Sequence, residues 1–213
     1  MTSHNIIFLL FFILAIIAFS FNVRRLVSYL LIGKPDRRTD RTWERLKNVF
    51  LVAFAQTKLF REPVAGIMHF LIYWGFVVLL LAILEAIGEG IIPGFSLAFL
   101  GMLYPPFVFL IDLFGVLVIA SVLLALYRRH VSRPKRLEDD RHGKIDATVI
   151  LLLIMFIMIS MFGQNAARVS LNQGTANESR FISSLLAAGF EGIPLNQVET
   201  WLSIFWWTHI GLV

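Results

Sequence analysis

The sequence predicts an all-α fold: a polytopic membrane helix bundle of five transmembrane helices, the fifth truncated, with the N-terminus outside. Three observations predict it. Of 213 residues, 58% are hydrophobic and 15% charged, at a mean hydropathy of +0.77, whereas a soluble domain carries about 25% charged residues. The apolar residues also gather in runs long enough to cross ~30 Å of hydrocarbon at ~1.5 Å per residue. Finally, seventeen of the nineteen Lys and Arg residues fall in two alternate segments between those runs, the asymmetry that the positive-inside rule turns into an orientation.

The first run covers about residues 5–23. Its leading MTSHN has no basic residue, while Arg24 and Arg25 follow the run. This reverses the charge order of a secretory signal, so the run reads as a retained anchor with its start outside. Residues 24–62 hold ten Lys/Arg and form the first inner loop. Within it Trp43, Leu46, Phe50, Phe54 and Thr57 recur at three- and four-residue spacing among Arg45, Lys47 and Lys58. That pattern predicts an amphipathic helix lying on the inner membrane surface or docked against a soluble partner domain, two readings that are compatible.

The second run, 63–87, is broken only by His69 and Glu85, and the segment 88–102 after it has no Lys or Arg. The third, 103–127, carries one charge, Asp112, and opens with Pro105-Pro106, where a helix tolerates proline. A second inner loop, 128–146, holds seven Lys/Arg, and the fourth run is 147–167. Residues 168–200 are polar and turn-rich, with Arg168 and Arg180, and read as an outer surface loop. A fifth run begins near Trp201 and is still apolar at Val213. Thirteen residues cannot cross alone, so this helix reads as truncated and the chain as a fragment. Residues 1–213 form one transmembrane domain without internal repeats.

Composition also removes several chemistries. With no cysteine, the chain itself can hold no disulfide, zinc–thiolate site, CxxCH haem attachment or cysteine-ligated iron–sulfur cluster. The net charge of +5 comes from residues flanking apolar runs, not from a free basic patch, which argues against nucleic-acid binding.

Five histidines are present. His4 is terminal, and His130 and His142 sit among charged residues and read as solvated surface. His69 and His209 lie inside apolar runs. A polar ring there is costly without a partner, which would be another helix's backbone, a proton pathway or a haem iron. A helix bundle can bury the apolar disc of a haem, and neutral imidazole supplies an axial bond. Around His69 the same face carries Gly66, then Ile72, Tyr73 and Phe76. Gly66 either lets a macrocycle approach the backbone or permits close helix packing. Tyr73 is a candidate hydrogen-bonding group beside such a ligand. His69 lies ~9 Å from the inner boundary and His209 ~12 Å from the outer one, so their depths differ by ~9 Å. They therefore suit two stacked sites better than one.

Other polar groups have competing readings. Asp112 either relays protons to a quinone or hydrogen-bonds a neighbouring helix. Glu85 and Arg168 read as interfacial residues, with a quinone head group as the alternative. Met155, Met158 and Met161 read as core filling, and Trp206 and Trp207 as an aromatic belt.

The stretch FREPVAGIMHFLIYWGF (60–76), WWTHIGLV (206–213) and the five-helix plan resemble a known membrane module. It is the cytochrome b-like N-terminal part of membrane-bound Fe–S oxidoreductases related to heterodisulfide reductase, itself similar to the gamma subunit of respiratory nitrate reductase. The resemblance implies a multi-pass protein of the bacterial cytoplasmic (inner) membrane, with one or two b-type haems ligated by His69 and His209. Electrons would pass between a quinone and a cytoplasmic Fe–S domain or electron-transfer flavoprotein, the clusters lying in a missing C-terminal region or a partner. The chain departs from the dihaem pattern near Leu79, where that pattern has a second histidine. The reading from a different class is a cofactor-free membrane anchor or transporter component. No inverted repeat or broken midplane helix supports a transporter.

Overall fold

A computed structural model describes residues 3–34, 40–132, 141–174 and 176–213. Among the described residues every regular element is helical. The helices are α1 (Ser3–Leu31), α2 (Thr42–Asn48), α3 (Pro63–Ile91), α4 (Tyr104–Tyr127), α5 (Arg141–Ser170), α6 (Phe181–Ala187) and α7 (Leu195–Leu212). Four stretches are long and apolar enough to cross a membrane: His4–Leu31, Pro63–Ile91, Leu97–Ser132 and Ile145–Ser170. The chain is built as a multi-pass membrane protein. Residues 35–39 of the first expected inner loop and 133–140 of the second lie outside the described residues, as does the side chain of His142.

The helices are longer than the apolar runs. α1 continues past Val23 through Arg24 and Arg25 to Leu31, and Arg25 Nε donates to Tyr29 Oη at 2.7 Å. Pro63 opens α3 and Pro105 lies in the first turn of α4, positions where the missing N–H has no helical acceptor in any case. α7 begins at Leu195, six residues before Trp201, directly after Pro194. Its first turns are polar, so hydropathy alone locates the helix too late. The expected outer loop 168–200 also contains α6, an apolar FISSLLA segment.

Contacts divide the chain into two units, Met1–Thr57 with Ala82–Leu97, and Lys58–Leu81 with Ala98–Val213. In the first, α1 is exposed over most of its surface, with Phe19 at 70% and Leu30 at 78%. A helix apolar all round has lipid as its natural solvent. Its start is fixed by Asn5, whose Nδ2 donates to the carbonyls of Gly90 (2.9 Å) and Glu89 (3.3 Å) at the end of α3. Phe8 fills the space left open by Gly90. The N-terminal end of α1 therefore meets the C-terminal end of α3. α2 continues into a π-helical stretch over Val49–Phe54, and Trp43, Leu46 and Phe50 are exposed along it.

The second unit holds most of the core. Val108, Ile111, Val118 and Val122 of α4 are buried, as are Met158, Met161 and Phe162 of α5 and Val198 and Trp206 of α7. α4 and α5 form an antiparallel hairpin, closed where Arg129 donates to the Gly143 carbonyl at 3.1 Å and His130 meets Thr148 at 3.1 Å. Gly115 leaves room for Met161 and Phe162, so α4 and α5 pack closely at mid-helix.

Candidate haem and electron-transfer site

The α5–α7 seam depends on one missing side chain. The Phe205 ring lies directly on Gly163, where any Cβ would overlap it. This close approach carries His209, one turn further along α7, onto the α5 backbone. His209 Nδ1 lies 3.0 Å from Ser160 Oγ and 3.2 Å from the Ile157 carbonyl oxygen. Ser160 Oγ in turn donates to that same carbonyl at 2.8 Å. A carbonyl can only accept, and the single hydroxyl proton of Ser160 is already directed to it. The arrangement that satisfies all three groups puts a proton on Nδ1 and leaves Nε2 with its lone pair. A neutral imidazole in that state is a metal ligand or a proton acceptor.

His69 stands in a different setting. It is exposed, six residues into α3. Gly66, on the same face, is buried against backbone: a Cβ there would meet the Leu59 carbonyl and Phe60 Cα at 2.7–2.9 Å. Of the two roles open to Gly66, this is close packing, with the turn at Leu59–Arg61 occupying the free space. Tyr73 is half-buried and meets Trp74 edge-on at 6.0 Å. Trp74 also touches Phe70, which packs on Phe60. The Trp74 indole N–H is buried without an acceptor among the described residues. Leu79, at the departure from the dihaem pattern, is buried in the core.

The helix contacts fix the relative levels of the two histidines. His209 meets α5 at Ile157–Ser160, one to five residues before the Met161–Phe162 pair that faces Gly115 of α4. In an antiparallel hairpin that interval corresponds to one to five residues after Gly115, which brackets Val118. Val118 faces Gly75 of α3. His209 thus lies at the level of Gly75 and Trp74, while the backbone of His69 is six residues, about 9 Å, away along α3. The fold does not bring the two imidazoles to a shared level.

Asp112 has a structural task. It is fully buried, and its carboxylate accepts from the backbone N–H groups of Ile182 and Ser183, both at 2.9 Å, and from Ser183 Oγ at 2.7 Å. Those are the otherwise unsatisfied donors at the start of α6. Of its two expected roles, hydrogen bonding to a neighbouring helix is the one observed. Glu85 Oε1 likewise accepts from Ser96 Oγ (2.8 Å) and the Leu97 backbone N–H (2.7 Å), tying down the turn after α3. Met158 and Met161 are buried core residues. Trp206, expected in an interfacial belt, is instead 5% exposed and stacks edge-on with Trp207 at 4.8 Å. The Trp206 ring therefore fills core volume.

Among the described residues no group of three or more His, Asp or Glu side chains converges to hold a metal ion. The test of fit for a haem therefore rests on single donors. A bare Nε2 on His209 suits axial ligation, and the unpartnered Trp74 donor at the same level suits a polar acceptor brought by a bound group. His209 Nε2 is available as a ligand to a metal.

Over 208 residues, or 98% of the chain, the sequence is 26% identical to a protein of Bacillus subtilis described as a probable iron-sulfur-binding oxidoreductase FadF, of which the match covers 29%. It is 27% identical over 197 residues, 89% of the chain, to the EtfAB:quinone oxidoreductase of Syntrophomonas wolfei, covering 27% of that protein. The chain is similar to Fe–S and quinone oxidoreductases. It spans less than a third of the length of these relatives. No family model and no solved structure matches it.

Two residues of this region escaped sequence reasoning. Ser160 is one hydroxyl within a hydrophobic run, and its only signal is polarity at lipid depth. Trp74 lies in the segment that carries the resemblance, yet nothing in its spacing marks an unpartnered N–H.

Proposed function

We propose that this chain is the membrane electron-transfer module of a quinone-linked oxidoreductase. In this reading b-type haem is held by His69 and His209, one or two haems in all. Electrons pass between a quinone in the bilayer and a cytoplasmic Fe–S domain or electron-transfer flavoprotein. The Fe–S clusters belong to a further region or a partner. The N-terminus faces outward and the basic loops face the cytoplasm, in the inner membrane of a bacterium.

The observation that carries the reading is His209, held by one ring nitrogen so that the other keeps its lone pair. A haem supplies a carrier of one electron at a time. The protein's part is to grip it at a set depth, exclude water and tune the iron through the donor set. His69 and His209 lie at different levels, which suits two separate ligation points. Tyr73 and Trp74 line the α3 side, where a polar edge of the cofactor or a quinone carbonyl would meet an indole N–H. The similarity to a quinone oxidoreductase supports the quinone assignment.

The test is quinol-driven reduction of the purified protein. A reduced menaquinone or ubiquinone analogue should raise a b-type α-band, and His69→Ala should abolish or shift it. A colourless preparation made with full haem supply would instead favour a cofactor-free anchor or transporter component.

A further inference from the structure

We infer that Ser160, together with the Ile157 carbonyl, is a positioning device that sets the tautomer of His209 and so selects Nε2 as its ligating atom. The inference rests on the reading of His209 as an iron ligand, but its first half concerns this chain's own hydrogen bonds and can be tested without iron.

Ser160 is 2% exposed, on a stretch of α5 that is otherwise aliphatic, aromatic or sulfur-containing from Ile150 to Ile159. A buried hydroxyl in such a helix usually returns its proton to a carbonyl in the preceding turn, and Ser160 does so to Ile157. What remains on its oxygen is acceptor capacity only. The Ile157 carbonyl likewise only accepts. His209 Nδ1 faces both, at 3.0 and 3.2 Å. An imidazole with a bare Nδ1 would aim its lone pair at a carbonyl lone pair, whereas the Nδ1–H form shares its one proton between both acceptors. The two acceptors lie 2.8 Å from each other on a rigid helix, so together they fix the ring's orientation as well as its protonation site. Glycine at 163 makes the device possible, because it sets the close approach of α7 that brings the ring within reach.

Two consequences follow for a bound metal. The ligating nitrogen is pre-selected, so no proton must move for a bond to form. Donation from Nδ1–H also raises the electron density at Nε2, which favours the oxidised iron and lowers its reduction potential.

The experiment uses the intact protein in detergent with nitrogen-15-labelled histidine, prepared first under haem limitation. The expected His209 signal is that of the Nδ1–H tautomer. Ser160→Ala leaves the Ile157 carbonyl as acceptor, so it should keep the Nδ1–H tautomer but shift the His209 Nδ1 resonance as one of its two acceptors is lost, and Ser160→Thr, which keeps the hydroxyl, should restore the original signal. An Nε2–H tautomer in the parent, or a His209 Nδ1 resonance unmoved by Ser160→Ala, overturns the inference. In haem-loaded protein Ser160→Ala should shift the midpoint potential upward while Ser160→Thr leaves it in place. His209→Ala separates the two claims. If it leaves the haem spectrum intact while the tautomer result holds, the ligation reading fails and the hydrogen-bond device stands.

Discussion

Asp112 and His209 are both ionisable groups inside apolar helices of the same unit, and they are used in opposite ways. Asp112 spends both carboxylate oxygens on donors at the start of α6. His209 commits one ring nitrogen to α5 and keeps the other. Depth and polarity alone do not separate them, since each is a costly residue at lipid level. Their partners do. A buried polar group whose acceptor capacity is directed inward works for the fold, and one that leaves a lone pair over is available for chemistry.

The comparison breaks most easily at Asp112. Asp112→Ala strands two backbone donors and a hydroxyl in the interior and should cost about 3–5 kcal/mol, at about 1–3 kcal/mol for each buried group left unsatisfied. Thermal unfolding and protease access to residues 176–194 would measure it. Asp112→Asn, which keeps an accepting oxygen, should recover about half of that loss. If Asp112→Asn kept full stability but abolished quinol oxidation, a proton relay would replace the anchor.

Next in size is Gly163→Ala. A methyl group there collides with the Phe205 ring, and overpacking of this kind costs about 1–3 kcal/mol. The same substitution should push α7 from α5 and weaken the Ser160–His209 contact, visible as Nε2–H tautomer in the labelled protein. A change of stability with no change of tautomer would show that Gly163 and His209 are independent. The smallest effect is expected in the other unit, which holds Asn5. Asn5→Ala removes two hydrogen bonds to the last carbonyls of α3 and should lower stability by about 1–2 kcal/mol without touching any optical property. A spectral change there would mean that α1 takes part in the site.

The helices were legible in the sequence because lipid imposes a simple rule: about 20 apolar residues, basic flanks on one side. The rule fails where packing replaces lipid. α7 begins in the polar stretch Leu195–Glu199, and α6 exists because a carboxylate 70 residues away supplies its missing acceptors. Trp206 reads as interfacial on composition and is buried in the core. Two histidines stand out in the sequence as candidates, since a lone imidazole in a hydrophobic run is conspicuous. The working details around them were not legible. Ser160 matters only because Gly163 admits Phe205 and draws His209 alongside it, a relation between residues 49 apart in the chain. At Gly66 the close-packing alternative has a visible partner, because a Cβ there would meet the backbone of Leu59 and Phe60.

The central claim, that His209 is kept open to hold iron while Asp112 is closed to hold the fold, comes down to one side-by-side measurement. Dithionite-reduced minus oxidised spectra would be recorded for the parent, Asp112→Asn and His209→Ala, each expressed with ample haem and matched for protein. The account predicts a b-type band in the first two and its loss or displacement in the third. Identical bands in all three, or no band in the parent, would contradict it.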